Sequence, residues 1–264
     1  MDERNFVATP GFDGTKTAPN WKKIVLIAAI VLAAAAIIAL LCVLLFGSSR
    51  TTPIRVMEKY VNTGEIKLET RTKDFLGGIE GNNLAKIIKI AKTSDEFKDD
   101  IADLEENAAD AYEDRQDDYG KNFKIRYKND KEVEEKLERE DLKEYRSAIK
   151  EIGENYADLG KALGRLKSGD LKDLAEDLDM DVKDLRTCIE CLKTVGQKLK
   201  GVEVDDGYAL EYLITITGSE LDEPEEDDGE ITVLKVNGKW VSLNALGMLN
   251  YYYNIIYRAV SSYL

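Results

Sequence analysis

The sequence predicts an α+β domain behind a single N-terminal transmembrane helix, with an antiparallel sheet packed on helices and a helical hairpin inserted into it. Three observations carry this. An uncharged apolar run fills residues 24–46. Beyond it, apolar residues recur mostly at three- and four-residue spacing, the period of a helix with one buried face. Three stretches switch instead to alternation, the period of a half-buried strand, and the last turns once at Asn237-Gly238.

The run "IVLIAAIVLAAAAIIALLCVLLF" extends about 34 Å at ~1.5 Å per residue, enough to cross a ~30 Å hydrocarbon core. Trp21, Lys22 and Lys23 precede it as interfacial anchors. It is longer than the ~7–15-residue apolar region of a secretory signal, so it reads as an uncleaved anchor. Lys16, Lys22 and Lys23 flank one side, and Arg50, Arg55 and Lys59 the other. The adjacent Lys pair, and the ease with which long domains translocate, favour a cytoplasmic N-terminus. The expected layout is a flexible cytoplasmic tail over 1–23, a transmembrane helix over 24–46 and an extracytoplasmic domain over 51–264, at the plasma membrane.

Pro53 suits the first turn of a helix running to Tyr60. "LGGIEGNN" is a break, with Asn83 placed to cap the next helix, whose stripe is Leu84, Ile87, Ile88 and Ala91. A second stripe runs Phe97, Ile101, Leu104, Ala108, Ala111. Phe123, Ile125 and Tyr127 then alternate with Lys124, Arg126 and Lys128, which predicts a strand.

Helical spacing returns in two seams. Tyr145, Ile149, Ile152, Tyr156, Leu159, Leu163 and Leu166 form the first. "KSGD" interrupts it, with Asp170 as a cap, and the second continues from Leu171 to Leu199 with a kink near residues 179–181. A short turn between two seams favours an antiparallel hairpin within one chain, over about 144–200, rather than pairing between chains. Gly153, Gly160 and Gly164 weaken the first helix unless they let a neighbour approach closely.

In "YALEYLITITG" both faces are partly apolar, which marks an inner strand. "SELDEPEEDDGE" reads as a solvated acidic loop, and it fails the EF-hand pattern because Pro224 and Lys235 fall on ligand positions. "VLKVNGKWV" is a hairpin with a type I′ turn, since Asn-Gly accepts positive φ at both central positions. That turn pairs Val236 with Lys239, Lys235 with Trp240 and Leu234 with Val241. The final segment, 244–264, is a helix whose stripe runs through Ala245, Leu249, Tyr252, Ile256, Ala259 and Tyr263.

Charge and composition narrow the chemistry. The chain has a net charge of −14. Residues 1–50 carry five basic and three acidic residues, leaving 32 basic against 48 acidic beyond them. Such a domain repels phosphate backbones, so nucleic acid is not an expected partner. There is no histidine, which removes Ser-His-Asp and Cys-His nucleophile arrangements and HExxH zinc sites. No spacing singles out a catalytic carboxylate, and no cofactor or metal is expected. Outside the apolar run the only thiols are Cys188 and Cys191, too few for a structural zinc. In an oxidising compartment they offer a vicinal disulfide at the cost of helix strain; the alternative is two small buried helix residues.

The order of these segments resembles a family. "TPIRVMEKYVNTGE", "YGKNFKIRYKN", "YALEYLITITG" and "VLKVNGKWVSL" look like the successive elements of membrane-tethered extracytoplasmic domains of Gram-positive bacteria, of the nuclear-transport-factor-2-like or cystatin-like cone type. The resemblance covers about 52–140 and 200–243. It implies a curved sheet wrapped around helices with a concave pocket, on a fold that hosts both enzymes and binding modules. The hairpin and the last helix depart from the pattern, and either could fill that pocket.

The expectation is therefore a non-catalytic binding or interaction module at the cell envelope. Tyr127, Tyr208, Tyr212 and Trp240 are the candidate ligand contacts, each with core packing as its alternative. A structural protein that forms homo-oligomers through the seams and the Tyr-rich last helix is the second reading. An enzyme using a pocket carboxylate is the third. A protein partner is open in the first two.

Overall fold

The computed structural model describes residues 49–77 and 79–264, with backbone alone for 130–133. The tail, the predicted span 24–46 and Cys42 lie outside them. Among the described residues no helix is long and apolar enough to cross a membrane.

The elements are α1 (Thr52–Thr63), α2 (Leu68–Leu76), α3 (Gly81–Ala91), α4 (Asp95–Tyr119), β1 (Lys124–Lys136), α5 (Arg139–Leu163), α6 (Ser168–Asp177), α7 (Val182–Lys200), β2 (Val204–Thr217), β3 (Glu225–Val236), β4 (Lys239–Ser242) and α8 (Asn244–Val260), ending in a 3₁₀ turn (Ser261–Tyr263). The class is α+β. The strands form one antiparallel sheet in the order β1-β2-β3-β4, curved into a half-barrel.

The sheet has a core on each face. Residues on β2 alternate between them, as a pleated strand requires. Leu210 and Tyr212 join Ile54 of α1 and Ile231 and Val233 of β3 on one face. Leu234, Val236 and Val241 point the other way, into the larger helical core. β2 is the inner strand predicted, and the hairpin register is the one Asn-Gly dictates: Val236 opposite Lys239, Lys235 opposite Trp240, Leu234 opposite Val241. Asn237 and Gly238 take φ of 48° and 77°.

The helical insert is a hairpin of α5 and α7, which run antiparallel with their glycines at the crossing. A Cβ on Gly153 would lie 2.7 Å from the Leu199 Cβ, and one on Gly160 would lie 2.9 Å from the Lys193 backbone nitrogen. One on Gly196 would meet the Ala157 nitrogen at 2.3 Å and its Cα at 2.6 Å. The seam residues Ile149, Tyr156, Leu159 and Leu163 are buried within the one chain, so they are not free to pair with a second.

Several details differ from the sequence reading. The connection between α5 and α7 is a further helix, α6, and the expected kink is a full break at residues 178–181, where Asp179 has φ 44°. Asn83 is not a cap. α3 begins two residues earlier and the Asn83 amide donates to Glu80. Asp170 likewise lies inside the first turn of α6, whose N-cap is Lys167. The stripe on α4 is buried only at Phe97 and Ile101. β1 continues to Lys136 past a register shift between Asn129 and Glu134. The acidic loop is shorter than predicted: from Glu225 it is strand, paired with β2 as far as Ile216. Backbone hydrogen bonding to an inner strand outweighs the low strand propensity of Glu and Asp, because both side-chain rows stay hydrated.

α8 closes the helical core. Tyr156 donates to the Leu249 carbonyl at 2.7 Å, and the hydroxyls of Thr72 and Tyr252 share a buried hydrogen bond of 2.7 Å. Lys92, just past α3, joins three helices. Its ammonium lies 2.6 Å from Glu69 on α2 and 2.5 Å from Glu105 on α4, and Glu105 also accepts the Leu68 N–H at the start of α2. Burial alone would raise the Glu69 carboxyl; the Lys92 ammonium outweighs it and holds the group below the usual carboxylate range. A carboxyl depressed in the folded state stabilises above its unfolded pKa of ~4.3 and loses that contribution as pH falls through the folded value. Lys92→Met is therefore expected to shrink the difference between urea midpoints at about pH 6 and about pH 3.5, by about 1 kcal/mol of stability.

Candidate functional site

Register brings the four predicted aromatics onto one face of the sheet. Tyr208, Leu210, Tyr212 and Ile214 alternate along β2. Tyr127 of β1 stands opposite Ile214, and Tyr208 stands opposite Val233. Trp240 stands opposite Lys235, two residues along from Val233 and so on the same face. α1 lies over this face, with Ile54 buried to 2% exposure and Met57 packed beside it.

The rings form two pairs. Tyr127 meets Tyr212 edge to face at 5.4 Å, and Tyr208 meets Trp240 at 5.8 Å and 53°. Such geometries match the ring quadrupoles and belong to packed interiors. Leu210, Ile231 and Val233 are buried in the same cluster. Gly229 makes room for Tyr212, since a Cβ there would lie 2.5 Å from the ring. Burial, aided by Asp227, raises the Tyr212 hydroxyl. Burial and Tyr212 raise that of Tyr127. Both stay neutral at physiological pH.

Charge rims the Tyr208 end. The Arg50 guanidinium lies 4.6 Å from the Tyr208 ring centre and 2.5 Å from Glu134. The Lys136 ammonium is 5.8 Å from the same ring and 3.3 Å from Asp206. Asn129 donates to Glu134 at 2.8 Å. The four aromatics thus form a layer packed between sheet and α1, with Tyr208 and Trp240 nearest its charged margin.

Cys188 and Cys191 are free thiols on one face of α7, both buried. Burial pushes the Cys188 thiol up to about 12 and raises that of Cys191, so neither supplies a thiolate at neutral pH. Cys188 lines an apolar cavity of about 70 Å³ between α3, α4, α7 and α8. Among the described residues no group of three or more Cys, Asp or Glu side chains could hold a metal ion.

The two edges of the sheet were not legible in the sequence, and they differ. Along β1, α1 covers the edge at Ile125 and Tyr127. The Asn62 side chain accepts the Ile125 N–H at 2.8 Å and donates to the Ile125 carbonyl at 2.6 Å, as a neighbouring strand would. Glu58 accepts the Tyr127 N–H. On the other side β4 covers only Val233 to Val236, and the Thr232 carbonyl is met by the Leu243 N–H. By alternation Glu226, Asp228 and Glu230 also direct their N–H and C=O groups outward. The Asp228 N–H is held by the side chain of Asp227 at 2.9 Å. Nothing among the described residues pairs with this part of β3. The acidic stretch "EEDDGEI" carries no alternation that would announce a strand.

No protein-family model matches the chain, and no curated protein or solved structure matches it.

Proposed function

We propose that the chain is a single-pass plasma-membrane protein with a cytoplasmic N-terminus, whose acidic extracytoplasmic domain is a non-catalytic interaction module that takes an extended partner strand on the open edge of β3. The observation that carries this reading is the asymmetry of the sheet. One edge is covered by Asn62 and Glu58 at Ile125 and Tyr127. The other presents the outward carbonyls of Glu226, Asp228 and Glu230 and the N–H groups of Glu226 and Glu230 among carboxylates. An open edge is a ready template for strand addition. The carboxylates of Glu226, Asp228 and Glu230 prevent self-pairing by repulsion and select a basic segment. This reading also fits the cone-type resemblance, a fold that hosts binding modules as well as enzymes.

The test uses the full chain in neutral detergent and a seven-residue peptide alternating lysine and valine, titrated calorimetrically. Saturable binding that weakens with salt is expected. Glu230→Pro deletes one outward N–H and is expected to weaken binding at least tenfold, and N-methylation of the peptide backbone to do the same. Binding that survives both changes, or no binding at all, would remove the strand-addition reading.

A further inference from the structure

α3 and α7 enclose a groove of about 710 Å³. Its walls bear Lys86 from α3 and Lys183 and Arg186 from α7, its polar lining includes Asn83 and Thr187, and its floor includes Cys191. The three cations are exposed, and none forms an ion pair among the described residues. The one carboxylate in the groove, Glu190, is neutralised by Lys193 at 2.7 Å. Lys86 also borders the next cleft along α3, where Lys73 and Lys89 extend the positive track.

This is the reverse of what composition favours. Carboxylates outnumber cations 48 to 32 beyond residue 50, so a cation on this surface ordinarily has a partner at hand. Here helical spacing sorts the charges. Positions 183, 186 and 187 fall on the face of α7 toward α3, while Asp181 and Asp184 line a separate cleft with Glu176 and Asp179. The result is a local charge of about +3 in a concave, partly walled site, where field lines concentrate. Arg186 supplies planar, bidentate donors, and the two lysines add mobile point charges; that combination matches phosphate oxygens.

We propose that the α3–α7 groove is an anion site that takes a phosphate-bearing ligand of two or more negative charges. It is independent of the β3 edge, which attracts the opposite charge.

The experiment is calorimetric titration of the full chain in neutral detergent, at low and at physiological salt. The probes are inorganic pyrophosphate and monomeric dihexanoyl phosphatidic acid, with dihexanoyl phosphatidylcholine as the blank. The groove variant is Lys86→Gln, Lys183→Gln, Arg186→Gln. The charge-matched control is Lys161→Gln, Arg165→Gln, Lys172→Gln, on other faces. Expected are saturable binding of at least one phosphate probe, a loss of tenfold or more in the groove variant, and a change below twofold in the control. Tighter pyrophosphate binding assigns a free phosphate, and tighter phosphatidic acid binding assigns a lipid headgroup. Absence of saturable binding, or equal loss in both variants, overturns the proposal.

Discussion

Gly196→Leu is expected to abolish cooperative folding of the helical core. At the α5–α7 crossing a single added carbon would sit 2.3 Å from the backbone nitrogen of Ala157 and 2.6 Å from its Cα. The obstacle is helix backbone, which cannot rotate away as a side-chain tip can. Even Gly196→Ala is expected to lose stability, about 1–3 kcal/mol from overpacking, against about 1 kcal/mol of helix propensity acting the other way. Leucine forces the helices apart along the whole seam and exposes Leu192, Val195 and Leu199, which are now buried. The control is Gly247→Ala on α8, where nothing lies within 4 Å of the added carbon; there propensity alone acts, and a gain of about 0.5–1 kcal/mol is expected. Urea unfolding followed by circular dichroism separates the two. If Gly196→Ala behaves like Gly247→Ala, the close crossing is wrong.

Tyr156→Ala comes next, at about 3–5 kcal/mol. Tyr156 is fully buried on α5, stands edge to face with Tyr253 at 5.5 Å and donates to the Leu249 carbonyl. It ties the insert to the last helix by both packing and a hydrogen bond. Tyr156→Phe keeps the ring and removes the hydrogen bond, and is expected to lose only about 1 kcal/mol. The gap between the two variants measures the packing. If Ala and Phe cost the same, α8 is not docked as described.

Legibility followed local chemistry. Asn237-Gly238 fixes a turn by its own backbone tolerance, so the hairpin and its register could be read directly. β2 is apolar on both faces because it is covered on both, and the pattern says so. The seams of α5 and α7 declare their buried faces, and the glycines between them could be explained only by a near neighbour. What failed depends on partners distant in sequence. The strand at 225–230 exists because β2 offers it hydrogen bonds, whatever its own propensity. Asn62 covers the β1 edge at Ile125 from 63 residues away, which no local pattern announces. Alternation put Tyr208 and Tyr212 on one face of their strand, and the register adds Tyr127 and Trp240 to it. Whether that face was open or roofed depended on where α1 lies, and α1 covers it with Ile54 and Met57.

The position of the insert has a consequence for how the chain folds in time. β2, β3 and β4 are consecutive, and their pairing closes only short loops. β1 must find β2 across the whole helical segment, a search whose entropy grows with the logarithm of the separation. The α5–α7 hairpin shortens that search. Once it zips, it delivers its two ends to one place: the Leu137 N–H meets the Gly207 carbonyl at 3.0 Å, and the cavity beside Gly207 is filled by Leu137 and Leu142. The long-range pairing then becomes nearly local. The helical insert acts as a splint for the sheet, and a variant that opens the crossing at Gly196 slows β1 docking as well as loosening the core.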